Sequence, residues 1–223
     1  METLPQIAQS LLLVPLTLLP IINPVSAAPI LLTSANGVDS VLKRLARQVA
    51  INACFVIVVS MLVGTYVLDL FGISLPIVRI AGGLLVASAG WSMLTGQDQD
   101  AVRSAVRDHS TPDLSEAEIV KRSFFPLTFP LTTGPGCIAA CIALGAQFPR
   151  SPMLYVAGAG IAILGAAITS LVLYLVLRNA GRLLTLLGEI GTLVMMRIMA
   201  FILVCVGIQI LWTGWVELNS ITT

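Results

Sequence analysis

The sequence predicts an all-α integral membrane protein: six transmembrane helices arranged as two inverted three-helix repeats, with helices 1 and 4 broken by Pro/Gly motifs. Three observations lead there. First, 57% of the 223 residues are hydrophobic and only 10% are charged, whereas soluble domains carry about 25% charged residues. Second, the apolar residues gather in six runs, each close to the ~20 residues a helix needs to cross the hydrocarbon core. Third, a stretch of the second half repeats the first without a gap, a signature sought before any other in such a chain.

The runs cover residues 7–34, 49–70, 76–94, 124–146, 153–177 and 193–215. Short polar turns such as Asn36-Gly37-Val38-Asp39-Ser40 separate them, rich in residues that end helices. The chain therefore divides into a first three-helix repeat (1–96), a hydrophilic loop (97–123) and a second, inverted repeat (124–223). The stretch from Gly96 to Ser123 holds six acidic residues, four basic ones and the sole histidine, His109. Within it, Thr111-Pro112-Asp113-Leu114-Ser115-Glu116 reads as a turn opening a short surface helix. The first run, followed by Val25-Ser26-Ala27, resembles a signal peptide, but no Lys or Arg precedes it and prolines interrupt it. It is read as an uncleaved first helix.

Short cytoplasmic loops carry the excess of Lys and Arg. Ten of the twelve basic residues fall on one side: Lys43, Arg44 and Arg47, then Arg103, Arg107, Lys121 and Arg122, then Arg178, Arg182 and Arg197. Only Arg79 and Arg150 lie opposite. The expected topology is multi-pass in the cell's inner (plasma) membrane, with both termini extracytoplasmic and loop 97–123 cytoplasmic.

Segment three begins Arg79-Ile80 and ends Thr95-Gly96, and segment six begins Arg197-Ile198 and ends Thr213-Gly214. Positions 79, 80, 85, 86, 95 and 96 are identical to those 118 residues later. Segments one and four also correspond, through Pro20-Ile21-Ile22-Asn23-Pro24 and Pro130-Leu131-Thr132-Thr133-Gly134-Pro135-Gly136. With three helices per half, the second half enters the bilayer from the other side, as in many secondary transporters.

A proline inside a helix removes a backbone donor and leaves a carbonyl that lipid cannot satisfy. Two such breaks at corresponding places point to unwound backbone beside a cavity, where half-helix N-termini favour a carboxylate and freed carbonyls favour an ammonium group or cation. No Asp, Glu, Lys or Arg occurs between Pro5 and Ser34 or between Phe124 and Phe148, so such a site is built mainly from backbone. Asn23, Pro24, Ser26, Pro29, Thr132, Thr133, Gly134, Pro135 and Gly136 are the candidate cavity wall. Asn52, Ser60, Thr65, Ser88, Thr169 and Gln209 are weaker polar candidates, since such side chains commonly bond between helices. Asp69 and Arg79, on the same side, are expected to form an exposed ion pair. Gly158, Ala162 and Ala166, four residues apart, read as a packing face, and Trp91, Trp212 and Trp215 as interfacial anchors.

Several functions are disfavoured. The net charge of +1 and the lack of a basic run argue against nucleic acid. Cys54, Cys137, Cys141 and Cys205 all lie in apolar runs and read as small hydrophobic residues. With the only histidine in the loop, no catalytic or metal set forms within the spans, and no nucleotide motif occurs.

The combination of Asn23-Pro24, Phe71-Gly72-Ile73-Ser74-Leu75-Pro76 leading into Arg79-Ile80-Ala81-Gly82-Gly83-Leu84, and Thr133-Gly134-Pro135-Gly136 resembles the MarC family of six-helix membrane proteins. The resemblance covers nearly the whole chain. It implies an inner-membrane protein related to transporters of small neutral amino acids such as glycine and alanine, with its two re-entrant-like motifs on Asn23-Pro24 and Gly134-Pro135-Gly136. Val25-Ser26-Ala27-Ala28-Pro29 departs from relatives that have glycine and a bulkier neighbour here.

The expected function is thus a secondary transporter, exporter or facilitator, of alanine, glycine or serine by alternating access, with no cofactor; proton and sodium coupling both stay open. Its partners are the amino acid and the lipid bilayer, and an oligomer is not derivable. The alternative is a non-transporting scaffold or regulator acting through the cytoplasmic loop.

Overall fold

The computed structural model describes residues 4–35, 37–96, 116–148 and 152–222. The described part is helical throughout: α1 (Leu4–Ile22), α2 (Pro24–Ser34), α3 (Asp39–Phe71), α4 (Leu75–Thr95), α5 (Glu116–Arg122), a wide-turn segment (Ser123–Thr132), α6 (Pro135–Gly145), α7 (Pro152–Arg178) and α8 (Ala180–Thr222). Most of the hydrophilic loop expected over 97–123 lies outside the described residues. Its end, from Glu116, is helix α5, where the sequence places the start of a short surface helix.

Four helices are long and apolar enough to cross a membrane alone: α3, α4, the Gly158–Arg178 part of α7 and the Ala180–Ser220 part of α8. Two further spans are bent pairs, α1 with α2 at 54° and the Ile119–Thr132 stretch with α6 at 71°. Proline dictates where the bends fall. Pro24 and Pro135 each stand at the start of the second helix of a pair, where a missing N–H and a fixed φ suit a helix start but cannot continue the helix before it.

The ends of the unbroken spans follow local chemistry as well. Gly72, with φ 65°, closes α3 by giving its N–H to Asp69, a left-handed cap that glycine adopts without a Cβ penalty. In α8 the backbone departs from helix at Gly188 (φ 65°, ψ 179°), so the span that the sequence begins at residue 193 is preceded by a separate helical stretch from Ala180.

The bundle is apolar outside as well as inside. Large apolar side chains such as Leu16, Phe55, Leu70, Leu84 and Phe201 point outward, where lipid tails are their solvent. The interior mixes large side chains such as Leu18, Leu45, Ile57 and Leu173 with small ones, among them Ala46, Ala50, Ala53, Ala162 and Ala166, that let helices approach. With no hydrophobic driving force between helices in lipid, close backbone approach supplies the packing energy. Trp91, Trp212 and Trp215 are all more than half exposed, as expected of interfacial anchors.

The most extensive contact is between α4 and α8. A Cβ added at Gly83 would lie 2.5 Å from the Leu211 nitrogen, and one at Gly207 would lie 2.3 Å from the Ala87 nitrogen. Gly90 meets Ala200 and Val204, and Gly214 meets Pro76 and Arg79, so the two helices run antiparallel with backbones touching. At one end of this interface Arg79 forms an ion pair with Glu217, a residue the sequence reading did not single out.

Candidate functional site

Asn23 is the only described non-glycine residue with positive φ (47°). Its backbone N–H still bonds the Leu19 carbonyl at 3.0 Å, closing α1. Its side chain then turns onto the next helix: Oδ1 accepts the Ser26 N–H at 3.3 Å, the bond of an N-cap. Asn is among the few residues that tolerate the left-handed region and also cap a helix, which explains its place before Pro24. Asn23 is only 5% exposed, yet its Nδ2 has no hydrogen-bond partner, and neither does the buried Ser26 Oγ.

The second bend is built differently. Phe125-Pro126-Leu127-Thr128 is followed at once by Phe129-Pro130-Leu131-Thr132, a tandem tetrapeptide. Its backbone repeats too, with Phe125 (φ −122°, ψ 125°) and Phe129 (φ −115°, ψ 125°) extended, each before a cis proline. Neither proline has an N–H to close an α turn. Threonine hydroxyls supply donors instead: Thr128 Oγ1 donates to the Ser123 carbonyl at 2.6 Å, and Thr132 Oγ1 is shared between the Thr128 carbonyl at 3.0 Å and the Leu127 carbonyl at 3.1 Å. Thr133 completes the coil by giving its N–H to the Thr128 carbonyl at 2.8 Å and turning its hydroxyl to the same oxygen at 3.1 Å.

The predicted wall residues fall as follows. Asn23 and Pro24 are buried at the first bend, Ser26 and Pro29 are half-buried on α2, and Pro29 accepts the Thr33 hydroxyl. Thr132 and Thr133 are buried at the second bend, with both hydroxyls donated to their own segment. Gly134 precedes α6, and a Cβ on it would lie 2.8 Å from the Pro130 carbonyl oxygen. Pro135 is exposed. Gly136 is buried against α4, where a Cβ would lie 2.4 Å from Val86 Cγ2, so it serves close packing of α6 on α4.

The two bent spans touch each other: α1 packs on α6, and α2 packs on the wide-turn segment. Their outer walls are α7, against α1 and α2, and α3, against the wide-turn segment and α6. Of the weaker polar candidates, Asn52 bonds Ser123 at 3.4 Å and so ties α3 to the second bend, while Thr169 returns its hydroxyl to the Gly165 carbonyl. Three residues were missed from sequence. Thr128 was signalled by the tandem repeat, whereas Ser123, two residues before it, and Ser170, whose buried Oγ lacks a partner, look like any other serine beside or within an apolar run. Among the described residues no group of His, Cys, Asp and Glu could hold a metal ion.

Four unbroken spans and two bent ones, with outward apolar side chains, define a multi-pass integral membrane protein built around paired helix breaks. The comparisons with known proteins are more specific. The sequence model of the MarC family of integral membrane proteins matches residues 8–218. The inner membrane protein MarC of Escherichia coli (strain K12) is 34% identical over 209 residues, which cover 90% of this chain and 91% of the relative. The MarC proteins of Shigella flexneri and Shigella boydii serotype 4 match to the same extent. No solved structure matches. The chain belongs to the MarC family.

Proposed function

We propose that the protein is an inner-membrane secondary transporter, an exporter or facilitator, of small neutral amino acids such as alanine, glycine or serine. It works by alternating access of two inverted three-helix halves about the two bent spans. The observation that carries this reading is the packing of the bent spans: the two proline-broken spans lie against each other, and the break in one of them holds buried polar atoms without partners. Irregular backbone at membrane depth survives only beside protein or a water-filled cavity, and in inverted-repeat transporters that is where substrate binds.

The inverted arrangement has three supports. First, the packing is the same when the halves are exchanged: α3 holds the second bent span as α7 holds the first, and α4 holds α6 as α8 holds α2. Second, adding 116 to the nine buried α3 positions reaches a buried residue in eight cases (42, 46, 49, 50, 53, 57, 61 and 64, giving 158, 162, 165, 166, 169, 173, 177 and 180) and a half-buried one, Ile161, from Leu45. Third, the 118-residue offset carries the α4·α8 crossing onto itself. The contact of Gly90 with Val204 becomes one between residues 86 and 208, beside the observed contacts of Gly83 and Ala87 with Gly207.

Of the nine basic residues of the described part, Lys43, Arg44, Arg47, Lys121, Arg122, Arg178, Arg182 and Arg197 support a topology with both termini extracytoplasmic, against Arg79 alone on the other side. The test is counterflow of radiolabelled alanine, glycine, serine and leucine by purified protein in liposomes, with and without sodium and pH gradients. Saturable exchange confined to the small neutral solutes is expected. No flux from folded, inserted protein would overturn the transporter reading in favour of a scaffold acting through residues 97–123.

A further inference from the structure

We infer that the N-terminus of α2 is a carboxylate seat, in which Asn23 Nδ2, Ser26 Oγ and the Val25 N–H hold the carboxyl group of a small neutral zwitterion. The inference rests on the transport reading above and gives the solute an orientation in the site.

The side chain of Asn23 identifies its own atoms. The Ser26 N–H is shared between the Asn23 carbonyl at 3.1 Å and one end of the carboxamide at 3.3 Å, and a donor is met only by the oxygen, so the other end is the NH2 group with two hydrogens to give. That group is buried in a residue only 5% exposed and has no partner. Ser26 Oγ, one turn along, is also buried and unpartnered. Between them, the N–H of Val25 belongs to the first turn of α2, where no acceptor exists within the helix. Pro24 has no N–H to offer.

The Asn23 NH2 and the Val25 N–H can only donate, Ser26 Oγ can donate as well, and Asn23 Oδ1 already receives the Ser26 N–H. The set therefore favours an anion, and the positive end of the α2 dipole acts in the same sense. No Lys or Arg lies between Pro5 and Ser34, so no full positive charge offsets a bare anion inside the bilayer. A zwitterion brings its own compensating charge, which selects an amino acid over a simple carboxylate for passage.

The second bend does not offer the same chemistry. Gly134, before α6, has no side chain to donate, and the hydroxyls of Thr132 and Thr133 are given to backbone carbonyls. Its hydroxyl oxygens keep acceptor capacity. The two breaks thus differ in their side-chain groups although they correspond in position, with donors at the first and hydroxyl acceptors at the second, which places the ammonium end of the solute toward the wide-turn segment.

Asn23 is also needed for its left-handed backbone and its cap, and those roles must be separated from ligand binding. Aspartate tolerates the same backbone region and caps as well, but exchanges the NH2 donor for an acceptor. The test uses the full chain in nanodiscs and in liposomes. Binding of radiolabelled alanine in nanodiscs is competed with unlabelled alanine, propionate and alaninamide, and alanine counterflow is measured in parallel.

Alanine and propionate are expected to compete and alaninamide to fail. Asn23→Asp at pH 8 should weaken alanine binding by about a hundredfold while the protein stays monodisperse. Ser26→Ala, which keeps a good helix former, should weaken it by about tenfold, the scale of one hydrogen bond to a charged group. Alaninamide competing as well as alanine, or unchanged binding in Ser26→Ala and a folded Asn23→Asp, would overturn the seat even if counterflow persists. Asn23-dependent binding without counterflow in wild type would overturn transport and leave the seat standing. Neither binding nor flux would overturn both.

Discussion

Replacing Gly207 with alanine tests the packing of α4 on α8, because the new Cβ meets backbone and no flexible side-chain tip. It would lie 2.3 Å from the Ala87 nitrogen and 2.7 Å from the Ala87 Cα, more than ~1 Å inside ordinary van der Waals separation. No rotamer change relieves such a contact, so the helices must part. Overpacking of this kind costs about 1–3 kcal/mol, and the upper end applies because backbone is the obstacle. Alanine recovers about 1 kcal/mol of helix propensity, leaving a net loss of roughly 2 kcal/mol. For a chain of this size that lowers the melting temperature by about 4–8 °C.

Gly160 is the internal control, because a Cβ there meets nothing within 4 Å. Gly160→Ala should melt at or above the wild-type temperature. The assay is size-exclusion chromatography of the purified variants after a temperature series, read by intrinsic fluorescence. Gly83→Ala should resemble Gly207→Ala, since its Cβ would lie 2.6 Å from the Gly207 carbonyl oxygen. The double variant should lose less than the two singles together, because one separation of the helices serves both. If Gly207→Ala melts with Gly160→Ala, or if the two losses add, the backbone crossing does not limit stability.

Three further outcomes are expected. Thr128→Val removes the donor to the Ser123 carbonyl and should cost about 1–2 kcal/mol in the same assay, whereas Thr128→Ser should restore most of it; an unaffected valine variant would contradict the role assigned to the hydroxyl. Pro24→Ala returns an N–H to the broken turn and favours a straighter first span, so alanine counterflow should fall at least tenfold while membrane insertion, read by fractionation, stays at wild-type level; normal flux would remove the first bend from the mechanism. A double-mutant cycle with Arg79→Ala and Glu217→Ala should give a coupling below about 1 kcal/mol that shrinks in high salt, the side chains being 15% and 36% exposed; a larger, salt-independent coupling would indicate a buried lock between α4 and α8.

The spans were legible because lipid imposes one rule on every stretch of chain, that twenty apolar residues make a helix, and prolines show where the rule is broken. Asn23-Pro24 and Gly134-Pro135 are both bends. What the residues do at the bends was less legible. Thr132 and Thr133 read as cavity wall, yet both give their hydroxyls to their own segment, which Pro126 and Pro130 interrupt, a role that depends on carbonyls four and five residues back. Gly136 reads as part of an opened backbone, yet its lack of a side chain lets α6 reach α4. The partner of Arg79 lies 138 positions away, beyond the reach of local patterning. Gly188 gives no sequence sign that sets it apart from the helical glycines around it, and its backbone alone marks the interruption of α8.

The length of α3 has a consequence of its own. Its 33 residues extend about 50 Å at 1.5 Å each, while the hydrocarbon layer is only about 30 Å thick. The surplus falls at the end that carries Lys43, Arg44 and Arg47, exposed on one face of the helix. In the proposed topology that end stands among the lipid headgroups, where each such side chain near an anionic leaflet is worth about 1 kcal/mol. The surface charge of the host bilayer therefore bears directly on the helix that walls the second bend, so the protein's stability and tilt should follow the proportion of anionic lipid as well as bilayer thickness.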